Sequence, residues 1–538
     1  MDVNKEVAAE FTPSTAQPLR LALVIAGAVS LGSYEAGALT ALLKSVWASD
    51  GRIVIDTIVG ASAGSITGLL LAHTLLTGNG LEDQRKLWVD ETDLRLLLKG
   101  SDMAGRPRAP LSPKLLVEWA WKRLSGQEPD GGGQDNRGEP IQRESIYLVM
   151  SIANLQGITY RMMSAAQNDA VRADTYRDAA SFALAPGIDV STWRSAMDVA
   201  QASSAHAFAF SAMKLTRSRS QYPPEVVWNG NGDKVFWYTD GGTVYNEPFG
   251  TALDAVYSSK DVGLPQRDLG ETGRVFLLIH PHPDDPLTPW PPGGEPPVFG
   301  QSSLRAFNMQ RAQSLYEDLL RLEKYNGRVS WRANLERAMR REGLEEQPWL
   351  KELAAQATAE RARRHQLTKL PQGEATGSPE PATNAAAAAA KEERSSLEIV
   401  LDAATGTAGK VTAHVEVVSP DLDPRVRSQE CKVGELLAGE RLGHFLGFAD
   451  IRARKSDFRL GYENFRQWWQ ETTHRRAFRL RYGLSDVNVP EDQSSSWKEF
   501  GSFDLSSIPP LRRFVWGVQL LARYYKEVRA LRKALKRT

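Results

Sequence analysis

The stretch RIVIDTIVGASAGSITGLLLAHTLL, residues 52–76, decides the fold. Its first part, Ile53–Val59, is short, apolar and rich in β-branched residues, which predicts a buried strand. The part after Ser62 is a longer apolar run that ends before Gly78, which predicts a helix of about four turns. Ser62 is therefore expected on the turn between a strand and a helix.

This turn has the spacing Gly-x-Ser-x-Gly, formed by Gly60, Ser62 and Gly64. Small neighbouring residues permit a sharp backbone, and the start of the following helix favours negative charge beside the hydroxyl. These are the features of a nucleophile elbow, so Ser62 is a candidate nucleophile. A plain tight turn is the alternative, because the pentapeptide also occurs by chance.

The upstream segment LALVIAGAVSLGSYEAGALTALL, residues 21–43, repeats the same pattern. It predicts a strand over 21–25, a loop of small residues over 26–32 and a helix from about Ser33. Two consecutive strand and helix units favour parallel pairing, which places this loop at the same sheet edge as Ser62. We expect an α/β fold with a mainly parallel sheet flanked by helices.

The small residues of the 26–32 loop would let the N–H groups of Gly27 and Ala28 approach a bound oxygen, as an oxyanion hole requires. We expect Val29 to avoid a positive φ, because its side chain is β-branched. A phosphate-binding loop and a mere tight connection are the alternatives. No Gly-Lys-Ser/Thr follows, which argues against a P-loop.

A serine nucleophile needs a base within hydrogen-bond reach. His73 lies about three turns along the helix that follows Ser62, too far away to fold back on it. His280 and His282 follow a predicted strand and stay as candidates. With two nearby aspartates they also resemble a metal-ligand cluster, but a proline-stiffened loop is the interpretation we favour, and we expect no metal.

The segment VFWYTDGGTVYNEP, residues 235–248, contains another candidate base. A predicted strand over 235–238 leads to Asp240, which a turn made by Gly241 and Gly242 follows. Such a turn by itself is more often structural than catalytic, because aspartate and glycine are ordinary turn residues.

Taken together, these motifs resemble the patatin-like phospholipase family. That family combines a loop of the type Gly-Gly-Gly-x-Arg-Gly with Gly-x-Ser-x-Gly and Asp-Gly-Gly, which correspond here to residues 26–32, 60–64 and 240–242. The resemblance also includes SIYLVMSIANLQG at 145–157 and AQASSAHAFAFSAMKL at 200–215, and it extends from Leu21 to Pro248.

The resemblance implies a patatin-like, three-layer fold in which Ser62 is the nucleophile and Asp240 the base of a dyad that needs no histidine. It implies an oxyanion hole at Gly27, Ala28 and Val29. It also implies no cofactor. The glycines that support the three motifs are Gly32, Gly60, Gly64, Gly241 and Gly242.

The 26–32 loop departs from the family pattern, because Ala28 and Val29 replace two glycines and Leu31 replaces the arginine. The implied activity is phospholipase A-type hydrolysis of phospholipids or other acyl esters. A general esterase or thioesterase with the same dyad is one alternative, and a catalytically silent lipid-binding or regulatory protein is another. Segments 87–98 and 208–213 are candidates for an apolar groove, although such segments are more often plain core.

Composition sets further limits on function. The formal net charge of +1 over 538 residues gives no general support for nucleic-acid binding. The single cysteine, Cys431, excludes a disulfide within the chain. The N-terminus has no apolar core of a secretory signal, and the longest apolar stretches fall short of the ~20 residues that cross a bilayer. We therefore expect a cytoplasmic protein with at most peripheral membrane contact.

The predicted organisation consists of a flexible tail, 1–20, a catalytic core, 21–300, with a surface insertion near 100–143, a helical extension, 301–370, a flexible linker, 371–397, and a C-terminal region, 398–538, that packs on the core. In the extension, a helical face is predicted to carry Ala312, Leu315, Leu319 and Leu322. Strands are predicted at 397–402 and within 410–420.

The chain ends in a predicted basic amphipathic helix over 511–537. Such a helix can dock on anionic lipid, which would suit an enzyme that works on membranes. Packing of its apolar stripe on the protein is the alternative. The sequence does not predict an oligomeric state.

Overall fold

A computed structural model describes most of the chain, and at its centre lies one mixed sheet. The described residues are 18–99, 109–127, 139–163, 170–207, 209–223, 225–230, 232–257, 274–281, 299–368, 395–407, 412–441, 445–475, 478 and 481–491. Within them the strands are β1 (Leu19–Ile25), β2 (Ile53–Ala61), β3 (Ile146–Met163), β4 (Ala170–Leu184), β5 (Met213–Arg217), β6 (Lys234–Asp240), β7 (Val275–Ile279) and β8 (His414–Val418).

The order of the strands is β5-β6-β3-β2-β1-β7-β8, and β4 pairs with β3. The five strands from β3 to β8 in this order run parallel, whereas β4 and β6 run antiparallel to β3. This confirms the α/β class, the parallel pairing of β1 with β2 and the three strands predicted around the motifs.

The helices follow the strands and lie on both faces of the sheet. In chain order the described helices are α1 (Gly32–Ala48), α2 (Ala63–Thr77), α3 (Asp83–Arg85), α4 (Leu94–Lys99), α5 (Lys114–Leu124), α6 (Val190–Ser203), α7 (Phe249–Tyr257), α8 (Phe299–Arg341), α9 (Pro348–Thr368), α10 (Ser396–Thr405), α11 (Pro424–Arg427), α12 (Val433–Leu436), α13 (Ala438–Arg441) and α14 (Ile451–His474). A π-helix, Lys86–Glu91, and 3-10 turns complete these elements.

The sheet is the middle layer of three. Alternate residues of β1 point to opposite faces, as a strand requires. Leu21 and Leu23 belong to a core that includes Leu69 of α2, whereas Ala22 and Val24 belong to a second core with residues of α7 and α8. The three-layer arrangement is thus confirmed.

The C-terminal part of the described chain meets the sheet and α1. Strand β8 pairs in parallel with β7, from His414 opposite Val275 to Val418 opposite Ile279. Helix α14 lies so close to α1 that a Cβ atom on Gly37 would collide with the carbonyl oxygen of Phe458. The additional C-terminal strand and helices of the predicted fold class are therefore present.

One of the two strands predicted in the C-terminal region is wrong. Residues 397–402 form part of helix α10 and not a strand, because Ser395 and Glu398 make a capping box and Gly406 ends the helix at φ 68°. Leu319 is 41% exposed, whereas Leu315 and Leu322 are buried. The buried face of α8 instead includes Asp318, whose carboxylate accepts from the N–H of Gly250 at 2.9 Å.

The predicted basic terminal helix, most of the predicted tail and linker, and much of the predicted insertion lie outside the described residues. The division of the chain into these segments stays a prediction. Strands β2 to β7 lie within the predicted catalytic core, and β1 begins two residues before it, at Leu19.

Candidate active site

The elbow between β2 and α2 has a strained backbone at Ser62, with φ 51° and ψ −124°. A side chain in this region costs free energy, and strain of this kind clusters at functional sites. Two glycines make the turn possible. A Cβ atom on Gly60 would lie 2.5 Å from the carbonyl oxygen of Gly64, and one on Gly64 would lie 2.5 Å from that of Ile25.

Strand β3 brings the elbow and the aspartate motif together. Ser151 of β3 pairs with Ala61, the last residue of β2, and the next residue, Ile152, pairs with Asp240 of β6. The ends of β2 and β6 therefore meet beside consecutive residues of one strand. This places Ser62 and Asp240 side by side, although they are 178 residues apart in sequence.

The Ser62 hydroxyl donates a hydrogen bond to Oδ2 of Asp240 over 2.6 Å. Both side chains are buried, with 7% and 2% of the residue surface exposed. The other oxygen of Asp240, Oδ1, accepts from the N–H of Gly242 at 2.7 Å, which fixes the carboxylate plane. A carboxylate in this place can take the proton of the hydroxyl when the oxygen attacks.

Ser203, a buried serine on α6, makes hydrogen bonds that hold the elbow. The Ser203 hydroxyl donates to the carbonyl oxygen of Ser151 at 2.6 Å and accepts from the N–H of Ser62 at 3.0 Å. It also contacts the hydroxyl of Ser65 at 2.7 Å, and the hydroxyl of the next residue, Ser204, donates to the carbonyl oxygen of Ser62. The backbone of Ser62 is thereby held on both sides. Sequence analysis missed Ser203, although its segment was part of the family resemblance.

Gly27, at the start of the 26–32 loop, touches the elbow and is held by Asn246. A Cβ atom on Gly27 would lie 3.0 Å from Cβ of Ser62. The N–H of Gly27 donates to the carbonyl oxygen of Asn246 at 2.9 Å, and the side-chain amide of Asn246 donates back to the carbonyl oxygen of Gly27 at 3.0 Å. Asn246 thus anchors the start of the loop.

Val29 adopts φ 51°. The expectation that its β-branched side chain would avoid a positive φ is therefore wrong, because the packing around the loop overrides the local preference. Among the described residues, the N–H groups of Ala28 and Val29 donate to no protein oxygen. They are the loop donors that can receive an oxygen atom beside Ser62, whereas the N–H of Gly27 is engaged.

Among the described residues, neither His73 nor His280 is hydrogen-bonded to Ser62. His280, at the end of β7, is buried with its Nε2 atom 3.4 Å from a carboxylate oxygen of Glu247. His73 packs edge-on against Trp193, and burial lowers the pKa of its imidazole to about 4. His282 lies outside the described residues. Asp240 is thus the titratable partner of Ser62 in the structure.

The two segments suggested for an apolar groove are neighbours. The N–H of Leu111 donates to the carbonyl oxygen of Ala209, and the N–H of Ser112 donates to that of Leu97, both at 2.9 Å. Phe210 packs against the same core as Leu97. Both segments contribute to that core, and Phe208 lies outside the described residues.

Two absences concern only the residues that the structure describes. No group of three or more histidine, cysteine, aspartate or glutamate side chains there could hold a metal ion. In the same part of the chain, no helix has both the length and the apolar character needed to cross a bilayer.

The fold and the site define an α/β protein with a serine and aspartate pair at adjoining strand ends. The family model of patatin-like phospholipases matches residues 23–253, which include the 26–32 loop, the elbow and the aspartate motif. Over this range the chain is similar to patatin-like phospholipases. At the level of the family, this supports lipid acyl hydrolysis.

Other comparisons add little. The crystal structure of VipD from Legionella pneumophila is similar at 12% sequence identity, over 90% of this chain and 94% of that chain, with a TM-score of 0.25. A structural similarity with so low a TM-score supports no conclusion about this chain. A comparison with curated proteins finds no match.

Proposed function

We propose that this protein is a serine acyl hydrolase of the phospholipase A type, with Ser62 as nucleophile and Asp240 as base. The hydrogen bond of 2.6 Å between their side chains, in a buried site, is the observation that carries the proposal. The match of residues 23–253 to the patatin-like phospholipase model supports a lipid acyl ester as the substrate.

In the first half of the reaction, Oγ of Ser62 attacks the carbonyl carbon of the ester while its proton passes to Oδ2 of Asp240. The carbonyl oxygen becomes an oxyanion, which the N–H groups of Ala28 and Val29 stabilise. The intermediate collapses to an acyl-enzyme, and the leaving alkoxide takes the proton from Asp240. Gly27, first predicted as a donor, anchors the loop in this mechanism.

In the second half, a water molecule attacks the acyl-enzyme and gives its proton to Asp240. The ester bond to Ser62 breaks, the proton returns to Oγ, and the fatty acid leaves. Each half uses the same base and the same donors, so no cofactor is needed. We further propose a cytoplasmic protein that works at a membrane surface, with peripheral contact through the 511–537 segment.

Labelling with a fluorophosphonate probe tests the proposal. We expect wild type to react, Ser62→Ala to lose labelling completely, and Asp240→Asn to react about 10²- to 10⁴-fold more slowly, the usual contribution of a general base. Ser195→Ala, at an exposed serine of α6, and Asp198→Asn, on the same helix, are the matched controls and should label like wild type.

A wild-type protein that does not label would overturn the proposal and favour the silent lipid-binding alternative. Labelling of Asp240→Asn at the wild-type rate would exclude Asp240 as the base. With labelling established, release of fatty acid from phosphatidylcholine vesicles compared with hydrolysis of an acyl thioester separates the phospholipase from the thioesterase.

A further inference from the structure

The 26–32 loop departs from the family pattern. Ala28 and Val29 stand where the family pattern has glycine, and Leu31 stands where it has arginine. Val29 nevertheless adopts φ 51°. Such a backbone persists only where the surrounding structure over-determines it, so other parts of the chain must supply the support.

The C-terminal part of the chain lies directly on this loop. A Cβ atom on Gly439, in α13, would lie 2.7 Å from Oγ of Ser30 and 2.9 Å from Cδ2 of Leu31. One on Gly447, in the 3-10 helix Phe445–Ala449, would lie 2.9 Å from Cβ of Ser30. Ser30 and Leu31 are 1% and 0% exposed. The two glycines therefore let two backbone segments close over the loop.

Asp457 of α14 fixes the first of these segments. Its Oδ1 atom accepts from the N–H of Ala438 at 2.7 Å, and its Oδ2 atom accepts from the N–H of Gly439 at 2.9 Å. The Asp457 side chain is buried. Both carboxylate oxygens thus bind the backbone that presses on Ser30 and Leu31.

Arg454, one turn earlier on α14, fixes the second segment. It donates to the carbonyl oxygen of Phe448 at 2.6 Å and to that of Val89, in the π-helix, at 2.9 Å. Burial lowers the pKa of the Arg454 guanidinium. Helix α14 itself is seated on α1, where Gly461 lies against the carbonyl oxygen of Tyr34.

We propose that these four residues, Gly439, Gly447, Arg454 and Asp457, form a C-terminal clamp that positions the oxyanion donors. The clamp holds Ser30 and Leu31, and through them it keeps the N–H groups of Ala28 and Val29 directed at the substrate oxygen. Leu31, which stands where the family pattern has arginine, is buried against α13. All four clamp residues lie outside the matched range of 23–253. This inference rests on the proposed function.

The variant Asp457→Asn tests the clamp. An asparagine keeps the shape of the side chain, but it faces the two backbone N–H donors with a single acceptor oxygen. We expect kcat to fall about 10- to 100-fold, as for a small misplacement of catalytic groups, with KM within about twofold of wild type. The pH profile of kcat should keep its shape, because the pair of Ser62 and Asp240 is untouched.

Asp423→Asn is the matched control. Asp423 caps α11 in the same C-terminal region, where it accepts from the N–H of Arg425 at 2.9 Å, and it is also buried. The Asp423→Asn variant should have a lower melting temperature than wild type. Its kcat should equal that of wild type at a temperature where the protein stays folded. Equal kcat values for the two variants would reduce Asp457 to a structural role and overturn the proposal.

A second pair of variants tests whether the fall in kcat arises from the contacts with the 26–32 loop. Gly439→Ala should also lower kcat, because the added methyl group presses on Ser30 and Leu31. Adding Ser30→Ala, which removes the nearest atom, should restore part of the loss. Absence of any effect of Gly439→Ala on kcat would contradict the clamp.

Amide hydrogen exchange separates this inference from the proposed function. Exchange of a peptide that covers 26–31 should accelerate in Asp457→Asn and not in Asp423→Asn, while a peptide that covers 60–64 stays unchanged. If wild type fails to label but exchange follows this pattern, the proposed function is wrong and the clamp still holds the loop. If labelling succeeds and exchange does not change, the clamp alone is wrong.

Discussion

The elbow and the 26–32 loop are the same kind of structure with different support. Each connects a strand to a helix, and each forces a residue with a side chain to φ 51°, at Ser62 and at Val29. The elbow is stabilised by its own glycines and by Ser203, all within the matched family range. The loop is covered by residues more than 400 positions later. The comparison teaches that a strained turn can be held by residues within the matched family range or by residues far beyond it.

Gly64→Ala is expected to have the largest effect on activity, because it disrupts the close backbone packing that the glycine permits at the elbow. The added methyl group would lie 2.5 Å from the carbonyl oxygen of Ile25 and 2.7 Å from that of Ala26, both backbone atoms that cannot swing away. We expect labelling of Ser62 to be lost. The free energy of unfolding should fall by about 1 to 3 kcal/mol, as for overpacking elsewhere.

The matched control is Gly327→Ala, at a helical glycine of α8 that has open space around its Cα atom. This change should stabilise the protein by up to about 1 kcal/mol, because alanine is the better helix former. Labelling with the fluorophosphonate probe and urea unfolding measure both effects. If Gly64→Ala labels like wild type, local glycine support does not matter at the elbow.

Ser203→Ala should have an intermediate effect, because it removes the support of the elbow without adding volume. The change deletes the partners of the Ser62 N–H and of the Ser151 carbonyl oxygen, both buried. We expect a loss of about 1 to 3 kcal/mol in stability and a fall of about tenfold in kcat. Steady-state kinetics and chemical denaturation give the two numbers.

Ser195→Ala is the control for this prediction, since it removes a hydroxyl from an exposed turn of the same helix. Its kcat should equal that of wild type. A Ser203→Ala protein with unchanged kcat but lowered stability would show that the elbow geometry survives without the serine bonds.

The two kinds of support explain what the sequence could predict. The elbow lies in one continuous stretch, so its strand, turn and helix follow from β-branched residues, small residues and Gly78. The pairing of Ser62 with Asp240 depends on β3, whose consecutive residues meet β2 and β6, and no local pattern encodes that register. The family resemblance indicated the pair instead.

The contacts that the C-terminal region makes with the 26–32 loop could not be predicted from the sequence, for a similar reason. Val29 was expected to avoid a positive φ because local preference disfavours it. The contacts of Gly439 and Gly447 with Ser30 join residues far apart in sequence, so no local pattern predicts them. Helix α10, by contrast, could have been predicted, because Ser395, Glu398 and Gly406 are ordinary helix start and stop residues.

The smallest expected effect on activity comes from His73, on the helix that follows the elbow. His73→Phe should leave kcat unchanged if the elbow needs no histidine. The same variant should alter stability at low pH, because burial lowers the pKa of His73 to about 4 in the folded protein, below its value of about 6.5 when unfolded. The unfolded chain therefore binds a proton between these pH values that the folded protein does not.

It follows that this histidine leaves stability unaffected above about pH 6.5 and costs stability as pH falls towards 4. The cost should approach roughly 3 kcal/mol at pH 4, because each unit of pKa difference corresponds to about 1.4 kcal/mol. Urea unfolding of wild type and His73→Phe at pH 7.5 and 4.5 measures the difference. If His73→Phe removes this pH dependence while kcat at pH 7.5 stays constant, the role of His73 is limited to packing against Trp193. A loss of kcat in His73→Phe at unchanged stability would instead mean that the geometry of the elbow depends on His73.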